Sequence, residues 1–492
     1  MSIKCVSKKC SNCNRTISDE MKFCGNCGAK LKFADGEIFN YILNLEKLHN
    51  IKIAWVDYVT ALPNNTKVGI ITLSNGRNAL FYGNEIINKI GGKVIDFVLH
   101  LYFRQDGLLA GVLELSSDFK CMLFIGDKIF NEIAAMKIKY VKDVWLRPNG
   151  ELAGAFYPDI EPSDVVRYDN KERFWFLFSG NSLIEKEDKK PMTAINKVTL
   201  MPNGELAGSF WLYSPNPIRL IPFIGNKIIK NIKDKPIWLC DFIPLDNNTL
   251  AGKVKLLNNS RNWLIFIGEK LINKIGERDI KEVKDLYFLS NGIYAGIIET
   301  TDKQLLPFKQ DNLLEKIEGK SIEHVYDVQL LPNGSLIGTA DFSDSSTHFF
   351  INNKIVEKLG NKEIKYIREV FVLPNGIITG VAEIDSRWHL FIGDQIIEFE
   401  HTEELKEGRP LDAMILPNGE LIGYYCTGFA SRCVPFKGNK VLEEIDGEKI
   451  IWSDINALPD NTLSGRIHFS NYQAAGLLWH GTKIKVTELK RD

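Results

Sequence analysis

The sequence predicts an all-β chain in two parts: a small metal-binding segment over residues 1–35 and ten four-stranded repeats over residues 36–492. Three observations carry that prediction. One phrase recurs at a fixed period, apolar runs alternate with turn signals every ten residues or so, and a double Cys-x-x-Cys stands near the N-terminus.

The phrase reads "LRPNGELAGAFY" from residue 146, "LMPNGELAGSFW" from 200 and "ILPNGELIGYYC" from 415, with looser copies elsewhere. The glycine that closes each copy falls at Gly69, Gly111, Gly154, Gly208, Gly252, Gly296, Gly338, Gly380, Gly423 and Gly465. Successive spacings are 42, 43, 54, 44, 44, 42, 42, 43 and 42 residues, which defines ten copies of one unit.

Each unit supplies four strand signals. An apolar run such as "VYDVQLL" leads into Pro-Asn-Gly, where proline presets φ and glycine supplies a left-handed residue. The second strand carries the anchor glycine. A polar loop follows, then a third strand ending in "FIGDKI" or "FIGNKI", whose Gly-Asp or Gly-Asn marks a tight hairpin. A short run like "EIINKI" reads as the fourth strand.

Four antiparallel strands in such a period match a β-propeller blade, and no 3.6-residue periodicity favours a helical repeat. Ten blades exceed the usual number, so two five-bladed rings are the alternative. The uninterrupted 44 residues from Gly252 to Gly296 leave no linker there and favour one array. Residues 37–42, "EIFNYI", precede the first repeat. They read either as a latch strand or as the start of an amphipathic helix through "EIFNYILNLEKLHN".

Five of nine cysteines lie in the first 27 residues. Cys10, Cys13, Cys24 and Cys27 form two Cys-x-x-Cys pairs, a set that surrounds one ion tetrahedrally, as Zn²⁺ prefers. The stretch "FCGNCGAKL" resembles the second knuckle of the short prokaryotic zinc-ribbon modules, a likeness confined to about residues 8–32. That resemblance implies a structural zinc, with rubredoxin-like iron as the alternative, and a closed thiolate shell rather than a catalytic metal. Cys121, Cys240, Cys426 and Cys433 read as small buried side chains.

Hydrophobic content of 45% suits a large core, and a net charge of −1 gives the whole chain no general pull on nucleic acid. The charge is uneven. The first 35 residues carry seven basic and three acidic groups, whereas the remainder carries 54 basic and 59 acidic. That asymmetry permits contact with nucleic acid through the ribbon only, without demanding it. No window has the length and apolarity of a membrane span, and the N-terminus lacks a secretory h-region, so the expectation is a cytoplasmic protein with no membrane partner.

Two candidate sites stand out on the repeats. Eleven residues before most anchor glycines stands an acid: Asp143, Asp241, Asp285, Asp327, Glu369, Asp412 and Asp454, with Tyr58, His100 and Lys197 at the exceptions. At the start of a channel-lining strand these would form a ring of carboxylates near one mouth. Recurrence favours a structural duty, each acid accepting backbone N–H groups at a strand entry. Cation or basic-peptide binding is the functional alternative. The long spacing of 54 marks an insertion with Asp159, Glu161, Asp164, Arg167 and Tyr168, a candidate partner loop on a rigid scaffold.

No Walker loop, nucleophile elbow, Rossmann fingerprint or metal-spaced histidine pair appears among the eight histidines. The expected function is a non-catalytic interaction scaffold whose propeller binds a protein and whose ribbon docks. Two alternatives accompany it: an enzyme using the channel carboxylates on a carbohydrate-like or small polar substrate, and a ribbon that contacts nucleic acid while the propeller recruits a partner.

Overall fold

The computed structural model describes residues 36–62, 66–104, 106–115, 121–159, 175–184, 194–212, 218–257, 262–373, 377–400, 408–416, 418–427, 432–471 and 473–489, except the side chains of Arg368 and Glu369. The four ribbon cysteines, and Glu161, Asp164, Arg167 and Tyr168 of the insertion, lie outside these residues.

Ten successive antiparallel sheets of four or five strands make a β-propeller arrangement of ten blades. Blade 6 is representative: Arg278–Phe288, Tyr294–Thr300, Leu305–Lys309 and Asn312–Leu313 pair in sequence order. The run expected to be one fourth strand is divided. Asn312–Leu313 closes blade 6, and the next two residues to pair, Lys316–Ile317, form a hairpin with Lys320–Leu330 of blade 7. The same division recurs in several blades, so the first strand begins earlier than the sequence suggested. Five of the seven recurrent acids accordingly sit in the later half of that strand, and Glu369 and Asp412 at its middle, rather than at its start. Asp285, for instance, is the eighth residue of Arg278–Phe288.

The turn chemistry agrees with the phrase. In "RPNG" the Gly150 N–H donates to the Arg147 carbonyl at 2.9 Å, and Gly150 takes φ +82°. Asn149 Oδ1 accepts from the Glu151 N–H at 3.1 Å. This Asx contact repeats at Asn203, Asn333 and Asn418. A type I turn closed by a left-handed glycine gives a hairpin whose twist suits the strands.

The anchor glycine has a packing reason. In nine blades it pairs across the sheet with a phenylalanine of the third strand, as in Gly208↔Phe223 and Gly338↔Phe350. A Cβ on Gly208 would stand 2.4 Å from the Lys197 carbonyl oxygen and 2.5 Å from the Phe223 ring. The first-strand backbone and the buried ring thus fill the space a side chain would need.

Adjacent blades share apolar cores. Ala153, Ala155 and Leu177 of blade 3 pack with Ile195, Val198 and Ile221 of blade 4. Outer strands are short, and Lys128, Lys227, Lys270, Lys354, Lys440 and Lys483 open six of them, each exposed. Short, lysine-bearing edges resist pairing with another chain.

The chain divides into two compact units. One takes Ile90–Val94 and Val98–Lys354, and so most of blades 2 to 7. The other joins the described residues up to Lys89, Ile95–Phe97 and the described residues from Ile355 onward. In this second unit blade 1 packs directly against blade 10. Ser464 Oγ accepts from the Val56 N–H at 2.7 Å, and Thr487 Oγ1 donates to the Ile53 carbonyl at 3.1 Å. A ring of blades 1 to 5 would set blade 1 against blade 5, so the five-plus-five alternative does not hold.

Residues Glu37–His49 form helix α1, which decides between the two readings of "EIFNYI". Ile38, Phe39, Ile42 and Leu45 are its buried face, packed with Ile53 and Phe81 of blade 1 and Leu458 and Leu478 of blade 10. Its N-terminal N–H groups have no local cap. The Asp460 carboxylate of blade 10 accepts from Ile38 N at 2.8 Å and Phe39 N at 3.3 Å instead. An acid at the positive end of the helix is favourable, and here it joins the two ends of the repeat array.

Candidate functional site

The first strands carry the candidate acids on a repeated irregularity. Register shifts interrupt the first-to-second strand pairing at Val283/Asp285, Val325/Asp327, Lys142/Trp145 and Leu411/Met414. A bulge bends the strand and re-aims its side chains. Asp143 and Asp412 hold φ +50°, a left-handed conformation that aspartate tolerates better than most residues. Asp241 and Asp454 pair in register with Lys253 and Arg466. The Glu369 side chain is outside the described set.

The backbone carbonyl at this position approaches the anchor glycine in several blades: Asp241 O to Gly252, Asp285 O to Gly296, Asp327 O to Gly338 and Asp454 O to Gly465. One acid side chain bonds to the neighbouring blade. Asp143 Oδ2 accepts from the Val198 N–H of blade 4 at 3.0 Å. At the exceptional position in blade 4, Lys197 Nζ donates to the Phe242 carbonyl of blade 5 at 3.2 Å. Other cations make the same kind of tie. Lys142 Nζ donates to the Ile195 and Asn196 carbonyls, and Arg219 Nε donates to Ile237 O at 2.7 Å. Arg432 repeats the Arg219 contact in blade 9, onto Ile450 O at 2.8 Å.

Burial and the acids shift several neighbours. Burial pushes Tyr102 up to about 12, with Asp143 adding to it, and Tyr102 donates to the Val144 carbonyl of the next blade. Burial lowers His100 while Asp143 opposes the shift. Burial, then Asp285 and Asp327, raise Tyr287. Tyr424, raised chiefly by burial, accepts from Ile455 N at 2.7 Å beside Asp454. The acids of adjacent blades therefore converge on tyrosines within the structure, and the first-strand bulge is a junction between blades.

Of the partner-loop residues, Asp159 is described. It is exposed, and its backbone N–H donates to Lys137 O at 2.8 Å. Cys426 and Cys433 depart from the expectation for scattered cysteines. They face each other across two strands of blade 9, Cα atoms 4.2 Å apart, joined as a disulfide. The sequence concealed this because the two lie on opposite arms of a hairpin. Cys240 is buried as expected and Cys121 half-buried.

Sequence reasoning missed Lys253, Lys255 and Trp263 of blade 5. Comparing the repeats column by column, at the first and third positions after each anchor glycine, would have found the two lysines. It also missed Asp460, whose role depends on a contact across more than four hundred residues. Among the described residues no group of three or more His, Cys, Asp or Glu side chains is arranged to hold a metal, and no helix is long and apolar enough to cross a membrane.

Residues 9–31 match the model of the zinc-ribbon domain. No curated protein matches the chain by sequence. Among solved structures, a eukaryotic initiation factor is 11% identical with a TM-score of 0.36, covering 80% of this chain and 96% of that one. The Dos1 propeller is 11% identical with a TM-score of 0.25, covering 82% and 94%. A puromycin-hydrolyzing peptidase of Mycobacterium tuberculosis is 10% identical with a TM-score of 0.31 over 76% of this chain. This chain spans 58% of the length of that peptidase.

Proposed function

We propose that this chain is a non-catalytic interaction scaffold: the bladed array is a rigid protein-binding surface, and the N-terminal segment is a docking module folded around one zinc ion. The observation that carries the reading is the use made of the recurrent chemistry. The anchor glycines and bulge residues serve blade construction, and Asp143 is committed to the Val198 N–H of the adjacent blade. Variation between blades is then what remains for recognition. The zinc-ribbon match over residues 9–31 supports Cys10, Cys13, Cys24 and Cys27 as ligands to structural zinc. A cytoplasmic location belongs to the same proposal.

Metal analysis of the purified chain tests the ribbon, with one zinc per chain expected and none after Cys24→Ser and Cys27→Ser together. Iron in place of zinc would overturn the assignment. Capture from nuclease-treated lysate with the full chain tests the scaffold, and loss of all protein capture there would sink it. Asp285→Asn with Asp327→Asn separates structure from catalysis: a folded variant that loses a measurable turnover would favour an enzyme.

A further inference from the structure

Blade 5 departs from its neighbours at the columns that follow the anchor glycine. In blades 2, 3, 4, 6 and 7 the first position is Val112, Ala155, Ser209, Ile297 and Thr339, all buried. In blade 5 it is Lys253, partly exposed. The third position holds Glu114, Tyr157, Trp211, Glu299 and Asp341 in those blades, and Lys255 in blade 5.

The charges at the third position in blades 6 and 7 are answered at home. Lys284 Nζ lies 3.0 Å from Glu299, and the Tyr326 hydroxyl donates to Asp341 at 2.6 Å. Asp241 stands opposite Lys253 across the sheet, but neither Lys253 nor Lys255 forms an ion pair among the described residues. Both instead stand over one indole, their Nζ atoms 5.2 and 4.9 Å from the Trp263 ring centroid. Two like charges on alternate residues of one strand repel, and the ring face partly offsets that repulsion. The ring also orders two flexible stems while leaving each ammonium with N–H groups to donate.

Apolar surface adjoins the pair. Trp263, Trp211 and Leu239 pack against the same core, and Lys255 pairs across the sheet with Leu239.

We infer that Lys253, Lys255 and Trp263, with Leu239 opposite Lys255 across the sheet, dock an acidic protein segment that carries an apolar side chain. This rests on the scaffold reading above and names the partner's chemistry. The choice of carboxylates follows from the ring. Nucleic-acid bases bind by stacking on open aromatic faces, whereas two ammonium groups stand over the Trp263 ring. Preorganised ammonium groups at the rim of an apolar patch match an acidic segment by charge and by hydrophobicity.

The test is fluorescence anisotropy with the full-length chain and three labelled probes: a peptide of repeated Glu-Glu-Leu, a peptide of repeated Lys-Lys-Leu, and single-stranded oligothymidine. The acidic peptide is expected to bind, more weakly as salt rises. Lys253→Glu with Lys255→Glu is expected to weaken it at least about tenfold, since like charges now face the partner. Lys227→Glu with Lys270→Glu, equal in charge but on outer strands, keeps affinity within about twofold of the parent on the same argument, and Lys253→Arg with Lys255→Arg restores binding. Circular dichroism confirms that each variant is folded. Absence of acidic-peptide binding, or equal loss in both charge-reversed variants, overturns the inference. Tighter oligothymidine binding lost in the Lys253/Lys255 variant would overturn it in favour of nucleic acid. Partner capture that persists in that variant sinks this site alone and leaves the scaffold reading standing.

Discussion

A single glycine shows how much of this chain's conservatism between repeats is steric. Gly208 lies between the Lys197 carbonyl and the Phe223 ring, whereas Gly268 has φ +58° and open space around the position of a Cβ. Gly208→Ala must therefore move backbone or ring, at about 3 kcal/mol by the cost of overpacking. Gly268→Ala costs only the left-handed strain, roughly 1 kcal/mol. Urea midpoints of the two variants should fall in that order. Titration gives a second prediction at this scale. Burial lowers His389, Lys362 lowers it further, and Glu398 and Asp385 oppose. Burial likewise lowers His100 and His468. The unfolded state then takes up protons that the folded state refuses, so stability falls as pH drops through about 6.5. His389 Nδ1 is buried without a hydrogen-bond partner. The urea midpoint should decline from about pH 7.5 to about pH 5.5, and His389→Gln should flatten the decline. Carboxylates shift in the same direction for the opposite reason, because here the charged form is the one favoured. Glu299 is held below the usual range by Lys281 and Lys284, and Asp341 by Thr347 and Tyr326. Their contribution is lost only in stronger acid, below the ordinary carboxylate range.

At the scale of an element, α1 illustrates a helix whose cap comes from the far end of the chain. Asp460 is fully buried, and it also accepts from Thr462 N and Thr462 Oγ1. Asp460→Ala removes the acceptor for two helix N–H groups and leaves them buried, at about 2 to 3 kcal/mol for a charged hydrogen bond and a lost cap. Asp460→Asn keeps an acceptor oxygen and should lose less. Urea titration followed by circular dichroism compares them. Glu46 and Lys485 add a half-buried ion pair at 3.0 Å between the same helix and the last strand of blade 10. The apolar spacing of Ile38, Phe39, Ile42 and Leu45 was legible in the sequence as a helix face. It was equally legible as part of a latch strand, because six residues of mixed polarity satisfy either period. What decided the matter was the apolar floor made by Ile53, Phe81, Leu458 and Leu478.

Across the molecule, the architecture is a set of nearest-neighbour interfaces, and blade 1 on blade 10 is one that sequence order would not suggest. Lys485 Nζ and Thr487 Oγ1 both donate to the Ile53 carbonyl, so the last strand covers the first blade. Deleting residues 483–492 should expose that surface and turn a single unfolding transition into a broader one. Calorimetry would show the broadening, and an unchanged sharp transition would deny the last strand its closing role. The blade count, the Pro-Asn-Gly turns and the paired ribbon cysteines were determined by the sequence itself, because spacing and turn residues act locally and repeat. The tertiary structure alone decided where the first strands begin, that Cys426 meets Cys433, that Asp460 caps α1 and that two lysines share one tryptophan. Each of those depends on which residues face one another across strands or across blades, and a linear pattern records spacing without recording partners.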